Sequence, residues 1–140
     1  MSFRSMFKTD PDVEQKGVWL EYGEGRRLLC ARAGGANKHF QKTMERVSKP
    51  FLRAIQADAL PAEDALAMLI EVFSLAIVMD WEGVTVDDLE GNDDATLVPF
   101  SPDACRKFFK ALPDIFHDVR ESASKAALYR SHIDKAASGN

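Results

Sequence analysis

The stretch AEDALAMLIEVFSLAIVM, residues 62–79, constrains this chain more than any other. Leu66, Met68, Leu69, Ile70, Val72, Phe73, Leu75, Ile77, Val78 and Met79 point in almost every direction around a helical axis, and Glu71 and Ser74 are the only interruptions in the middle. A helix that is apolar all round must be buried on most sides. The spacing therefore predicts a central helix over 62–79 with the remaining chain wrapped around it. Pro61 is placed to open this helix, and Glu63 and Asp64 fall in its first turn, where the helix dipole favours acids. Glu71 belongs either on the one exposed strip or against an arginine, because a buried unpaired carboxylate is costly. The sequence DWEGV then ends the helix, with the Trp81 ring against the core and Gly83 permitting a sharp turn.

The flanking segments supply what could wrap such a helix. In GVWLEYGEGRRLLCARAGG, residues 17–33 read as an antiparallel β-hairpin: Val18, Leu20 and Tyr22 alternate with Trp19 and Glu21 around a Gly23-Glu24-Gly25 loop. A helix follows from about Asn37, an N-cap, with Phe40, Met44 and Val47 on one face. Pro50 lacks an amide hydrogen and should bend or break it, with Phe51, Leu52 and Ile55 carrying it on to about Gln56. After the central helix, VTVDDLEGNDDATLVPF reads as an acidic loop. Ser101-Pro102-Asp103 is a strong helix start, and Cys105, Phe108, Phe109 and Leu112 form a stripe behind it. Pro113 interrupts, and a last helix is expected to about Arg130. Residues 1–16 are read as polar and loosely ordered, and SHIDKAASGN as a fraying end. The fold class is predominantly α (α+β): one helical domain over 1–140, ordered over about 13–130, with a single N-terminal hairpin.

Charge is segregated along the chain. Residues 1–56 carry a net +5, residues 57–104 a net −12 with no Lys or Arg, and residues 105–140 a net +3. Such blocks either pair within one fold or steer copies and partners together, so weak homo-oligomerisation is an expectation. The overall −4 and the acidic middle argue against nucleic acid as a partner. No apolar run reaches the roughly 18 residues that cross a bilayer, and the first residues lack the apolar region of a signal peptide. Membrane is therefore not expected as a partner. Cys30 and Cys105 have no metal or redox spacing and read as free thiols in a reducing cytoplasm.

A search for chemistry finds little. His117 and Glu121 lie one helical turn apart with Asp114 a turn earlier, but one helix rarely completes a metal site and a solvated charged face explains them. The glycines of YGEGRR join two strands rather than a strand and a phosphate-binding helix. DDLEGNDD has the composition of a calcium loop without its ligand spacing. No nucleophile context surrounds the serines or cysteines. The expectation is a protein with no catalytic residues, cofactor or metal.

The order of these segments resembles the tail assembly chaperone family of long-tailed (siphovirus-type) bacteriophages and prophages. The likeness rests on the hairpin, the helix with SKPF, EVFSLAIVMDWEGV, and LVPFSPDACRKFFKALPDIFHDVRESA, and covers about residues 13–130. Trp81, Gly83 and Val84 match its helix-ending signature; Pro99, Ser101 and Pro113 belong to its turn and its interrupted helix. All are read as structural. The resemblance implies a non-catalytic factor that binds the tape-measure protein, keeps it soluble and helps recruit tail-tube subunits. It further implies a protein in the cytoplasm of the bacterial host that leaves the mature virion. Phe109 and Phe116, either side of Pro113, are the candidate partner-binding residues, with a core position as the alternative. The competing reading is a structural tail or head–tail connector component of a phage, prophage or gene-transfer particle.

Overall fold

The computed structural model describes residues 2–130. The elements are α1 (Phe3–Phe7), α2 (Pro11–Lys16), β1 (Val18–Glu21), β2 (Arg27–Cys30), α3 (Lys38–Ser48), a 3-10 turn (Lys49–Phe51), α4 (Leu52–Gln56), α5 (Ala62–Ala76), β3 (Val78–Glu82), α6 (Val86–Glu90), α7 (Pro102–Ala111), α8 (Pro113–Ala123) and a 3-10 turn (Ala126–Tyr129). The class is helix-dominated α+β, with one antiparallel sheet in the order β1-β2-β3. The packing chain runs from α3 through α5 and α7 to α6, and β3 also packs on α5.

The hairpin and the helix boundaries follow their local chemistry. β1 pairs with β2 in the register Val18 to Cys30 through Glu21 to Arg27, and Gly23, Glu24 and Gly25 all take positive φ in the connection. The Asn37 side chain accepts from the Phe40 amide at 3.3 Å and caps α3. Pro50 tightens the chain into a 3-10 turn before α4. The Ser101 hydroxyl accepts from the Ala104 amide at 3.0 Å, with Pro102 in the first helical position. Pro113 separates α7 from α8.

The central helix is shorter than the apolar pattern predicts. It ends at Ala76, and residues 78–82 form a third strand instead of a helix end. Ile77 gives its amide to Phe73, closing the helix, while its carbonyl accepts from Ala31 at 2.9 Å, so the chain changes from helix to sheet at one residue. Continuous apolar sequence does not distinguish a buried helix from a buried strand; sheet pairing with β2 decides it here. A bulge follows. Leu29 pairs with Asp80 and Cys30 with Val78, leaving Met79 as an extra, exposed residue. That insertion shifts the alternation by one, so Val78 and Trp81 both face the core. α5 is also buried over its second half only: Ile70, Val72, Phe73, Ser74 and Ala76 are buried, whereas residues 62–64 are exposed.

The N-terminal residues are more ordered than their polarity implies. Asp10 caps α2 through the Asp12 amide at 2.9 Å, with Pro11 next. Val13 and Glu14 are buried. The Glu14 carboxylate meets Arg32 Nη1 at 2.5 Å and accepts from the Thr9 hydroxyl at 3.0 Å. The Tyr129 hydroxyl donates to the carbonyl region of Cys30 and Ala31 (3.1 and 3.2 Å), and the Asp10 amide bonds the Tyr129 carbonyl at 2.8 Å. α2 and the C-terminal 3-10 turn thus lock onto the strip after β2, whereas α1 stays exposed. The last helix stops at Ala123 instead of Arg130, and the 3-10 turn carries Tyr129 inward. The acidic loop likewise holds a short helix, α6, opened by a Thr85–Asp88 capping box and closed by Gly91. The expected fraying end, residues 131–140, lies outside the described residues.

Candidate functional site

Two segments far apart in sequence form one joint. The Trp81 indole Nε1–H donates to the Val98 carbonyl at 2.8 Å, and the Val98 amide donates to the Val84 carbonyl at 2.9 Å. The Val86 amide adds a bond to Thr96 at 2.9 Å. The Trp81 ring stands edge-on to Phe100 and Phe108, with centroids 5.2 and 5.6 Å away. Gly83 has φ +79°, and a Cβ there would lie 2.9 Å from the Gly25 carbonyl oxygen. It therefore serves both the turn and the close approach of the hairpin. Ser101 then caps α7, while Pro99 lies exposed in the segment between. Trp81 thus plugs the core from a strand and not from a helix end.

This joint builds one wall of a groove of about 250 Å³ between the hairpin and the α7–α8 corner. Leu28, Val84 and Phe108 are its buried lining, Leu112 and Ile115 bring apolar side chains from the corner, and Arg26, Glu82 and Asp88 supply charge. Leu112 is 43% exposed, an uncovered leucine beside an apolar floor. Tyr22 closes one side, its hydroxyl donating to Asp118 Oδ2 at 2.6 Å. Burial, and then that carboxylate acceptor, hold the Tyr22 phenol well above its usual range. A second groove of about 470 Å³ lies beside β3, lined by Leu75, Val78, Met79, Phe100 and Pro102, with Lys38 and His39 from α3. The His39 ring Nε2 lies 3.3 Å from the Leu75 carbonyl.

Phe109 and Phe116 do not form the expected surface. Both are fully buried, 5.2 Å apart between centroids, with Phe116 edge-on to Phe73 at 5.4 Å. Their stripe turns inward because α7 packs on α5, and the residue left outside at the Pro113 break is Leu112. Leu112 belongs to the same stripe, so its position at the helix end was the signal for exposure. Phe109 only borders a small hollow of about 170 Å³ between α5 and α7, with Leu66, Ile70 and Pro113.

The ionisable groups are structural in their surroundings. Glu71 pairs with Arg106, which also reaches Asp103, so the carboxylate that interrupts the apolar helix is answered from α7. Arg27 bonds Glu82 at 2.9 and 3.0 Å while its guanidinium stacks 3.9 Å over Trp19. Burial pushes the Cys105 thiol up to about 12 and lifts Cys30 well above its usual range, with the neighbouring Cys105 adding to the latter. Asp114, His117 and Glu121 are exposed, and among the described residues no group of three His, Cys, Asp or Glu could hold a metal ion. No helix among the described residues is long and apolar enough to cross a membrane.

The fold and these grooves define a small helix-dominated protein whose accessible features are apolar grooves with charged edges. A family model described as YdaY prophage protein matches residues 35–140, and the chain belongs to that prophage protein family. No curated protein and no solved structure matches the chain.

Proposed function

We propose that this prophage protein is a non-catalytic tail assembly chaperone. It binds helical segments of the tape-measure protein, keeps that long chain soluble and helps recruit tail-tube subunits. The observation that carries the reading is the joint between the Trp81–Val84 and Val98–Ser101 segments, two of the pieces whose order and spacing carry the resemblance. They interlock through the Trp81 and Val98 bonds, and Gly83 and Val84 line the hairpin–corner groove. An amphipathic helix seats apolar side chains in such a groove while charged edges fix its direction. Membership of a prophage family supports the setting.

The surface is thereby assigned to Leu112 and Ile115 and not to the buried pair Phe109 and Phe116. Leu112→Glu places a carboxylate on the uncovered leucine. It should abolish co-purification of the tape-measure partner while leaving the melting temperature within a few degrees. Retention of the partner by a folded Leu112→Glu protein would move the surface elsewhere. Purified particles separate the chaperone from a structural tail or connector component. A chaperone is absent or substoichiometric in them by mass spectrometry, whereas a fixed number of copies per particle would establish the structural reading.

A further inference from the structure

Helix α3 carries Lys38, Lys42 and Arg46 at intervals of four, and Lys49 opens the 3-10 turn that follows. At 3.6 residues per turn these four lie within about 80° of arc. They sit opposite the side of Phe40, whose ring meets Phe73 of α5. All four are exposed, and none makes an ion pair with another described residue. Four cations with no ion-pair partner among the described residues, and with Glu45 alone at their margin, form a surface suited to an acidic partner.

The same chain holds the complementary surface. Asp87, Asp88, Glu90, Asp93 and Asp94 fall in α6 and the turn after it. That segment is fixed rather than loose: the Asp93 amide donates to Asp87 Oδ1 at 2.6 Å and the Thr96 amide to Asp94 Oδ1 at 2.9 Å. Among the described residues its one ion pair is with Lys107, 4.0 Å from Glu90. No ion pair joins the two surfaces within the described chain, and in the packing order α3–α5–α7–α6 the α5–α7 pair stands between their helices. Each surface has an apolar edge: Leu52 and Ile55 follow the basic stripe, and Leu97 follows the acidic turn, all exposed. Isolated surface ion pairs contribute little, so these apolar edges add what charge alone does not.

We propose that the basic stripe of one copy docks on the α6 acidic segment of the next, in a head-to-tail contact between copies of this chain. Because the two surfaces lie on different sides, the contact is heterologous and passes from copy to copy. It requires no tape-measure protein; the acidic segment borders the groove assigned above through Asp88, and Lys42, Arg46, Glu90 and Asp93 lie outside that groove.

Sedimentation velocity over a concentration series tests this at about 0.01 M salt, where the Debye length is about 30 Å, and at about 1 M, where it is about 3 Å. The average mass should rise past that of a dimer at low salt and fall to the monomer at high salt. Two charge-reversed proteins, Lys42→Glu with Arg46→Glu and Glu90→Lys with Asp93→Lys, should each stay monomeric at low salt. An equimolar mixture should regain association, since the unaltered acidic segment of the first variant then meets the unaltered basic stripe of the second. These side chains make no core contact, and a melting curve for each variant verifies the fold. A wild-type monomer at both salts, growth that stops at the dimer, or a mixture that stays monomeric overturns the proposal. A wild-type monomer whose stripe binds duplex DNA instead overturns it in favour of phosphate recognition.

Discussion

Replacing Phe73 with alanine tests how the core is organised. Phe73 is 2% exposed and sits in the buried half of α5, where α3, α7 and β3 converge. Its ring stands edge-on to Phe40 (6.1 Å, 80°) and to Phe116 (5.4 Å, 82°), joining the α3 and α8 sides of the core. Truncating a buried phenylalanine typically costs about 3–5 kcal/mol through lost transfer energy and an unfilled cavity. Two edge-to-face pairs place Phe73→Ala in the upper half of that range, since each contributes about 0.5–1.5 kcal/mol beyond area. Against a typical domain stability of about 5–15 kcal/mol, the loss is roughly a quarter or more. In urea, with a slope of about 2 kcal/mol/M, the midpoint should fall by about 2 M. Leu112→Ala, at an exposed position, should move it little. A loss below about 1 kcal/mol for Phe73→Ala would show that α3 and α8 do not close on α5 as described.

Trp81→Phe keeps most of the ring contacts but leaves the Val98 carbonyl without its indole donor; denaturation should show a loss of about 1–3 kcal/mol. Arg32→Met strands the buried Glu14 carboxylate and should cost about 3–5 kcal/mol at neutral pH by the same assay. Both thiols are raised by burial, so the folded protein holds their protons where the unfolded chain, with thiols near 8.5, has lost them. Their contribution is fully present below about pH 8.5 and is lost as pH rises towards the folded value of about 12 for Cys105. Cys105→Ala should flatten this alkaline limb of stability against pH, and a thiol reagent at neutral pH should label wild type only after denaturant is added.

Much of this architecture is written in local chemistry. Asn37, Ser101, Pro50 and Pro113 act where their side chains and rings dictate, because caps and proline breaks need no tertiary context. The Glu71 pairing was legible as one of two options, since a carboxylate that interrupts an apolar helix takes either an exposed strip or a cation. β3 was not legible, because the apolar run through 75–79 satisfies helix and strand alike and only pairing with β2 separates them. The β-branched pair Ile77-Val78 was the available hint. Asp10-Pro11-Asp12 was a readable helix start outweighed by the polarity around it. The groove was hidden for a different reason. Its walls come from the hairpin, the Trp81–Val84 strand end and the α7–α8 corner, and sequence spacing says nothing of how these meet. Phe109 and Phe116 flank the Pro113 break and are both buried, and aromatic content does not say which side of a stripe is covered.

The tail-chaperone reading is tested most directly by co-expressing the chain with the tape-measure protein of the same prophage and measuring the partner's soluble fraction. A long amphipathic chain left alone should partition largely into the pellet. With this protein present the soluble fraction should rise and the two should co-purify, and Leu112→Glu should remove both effects while Phe73 and the rest of the core remain intact. No gain in solubility and no co-purification with wild-type protein would contradict the account.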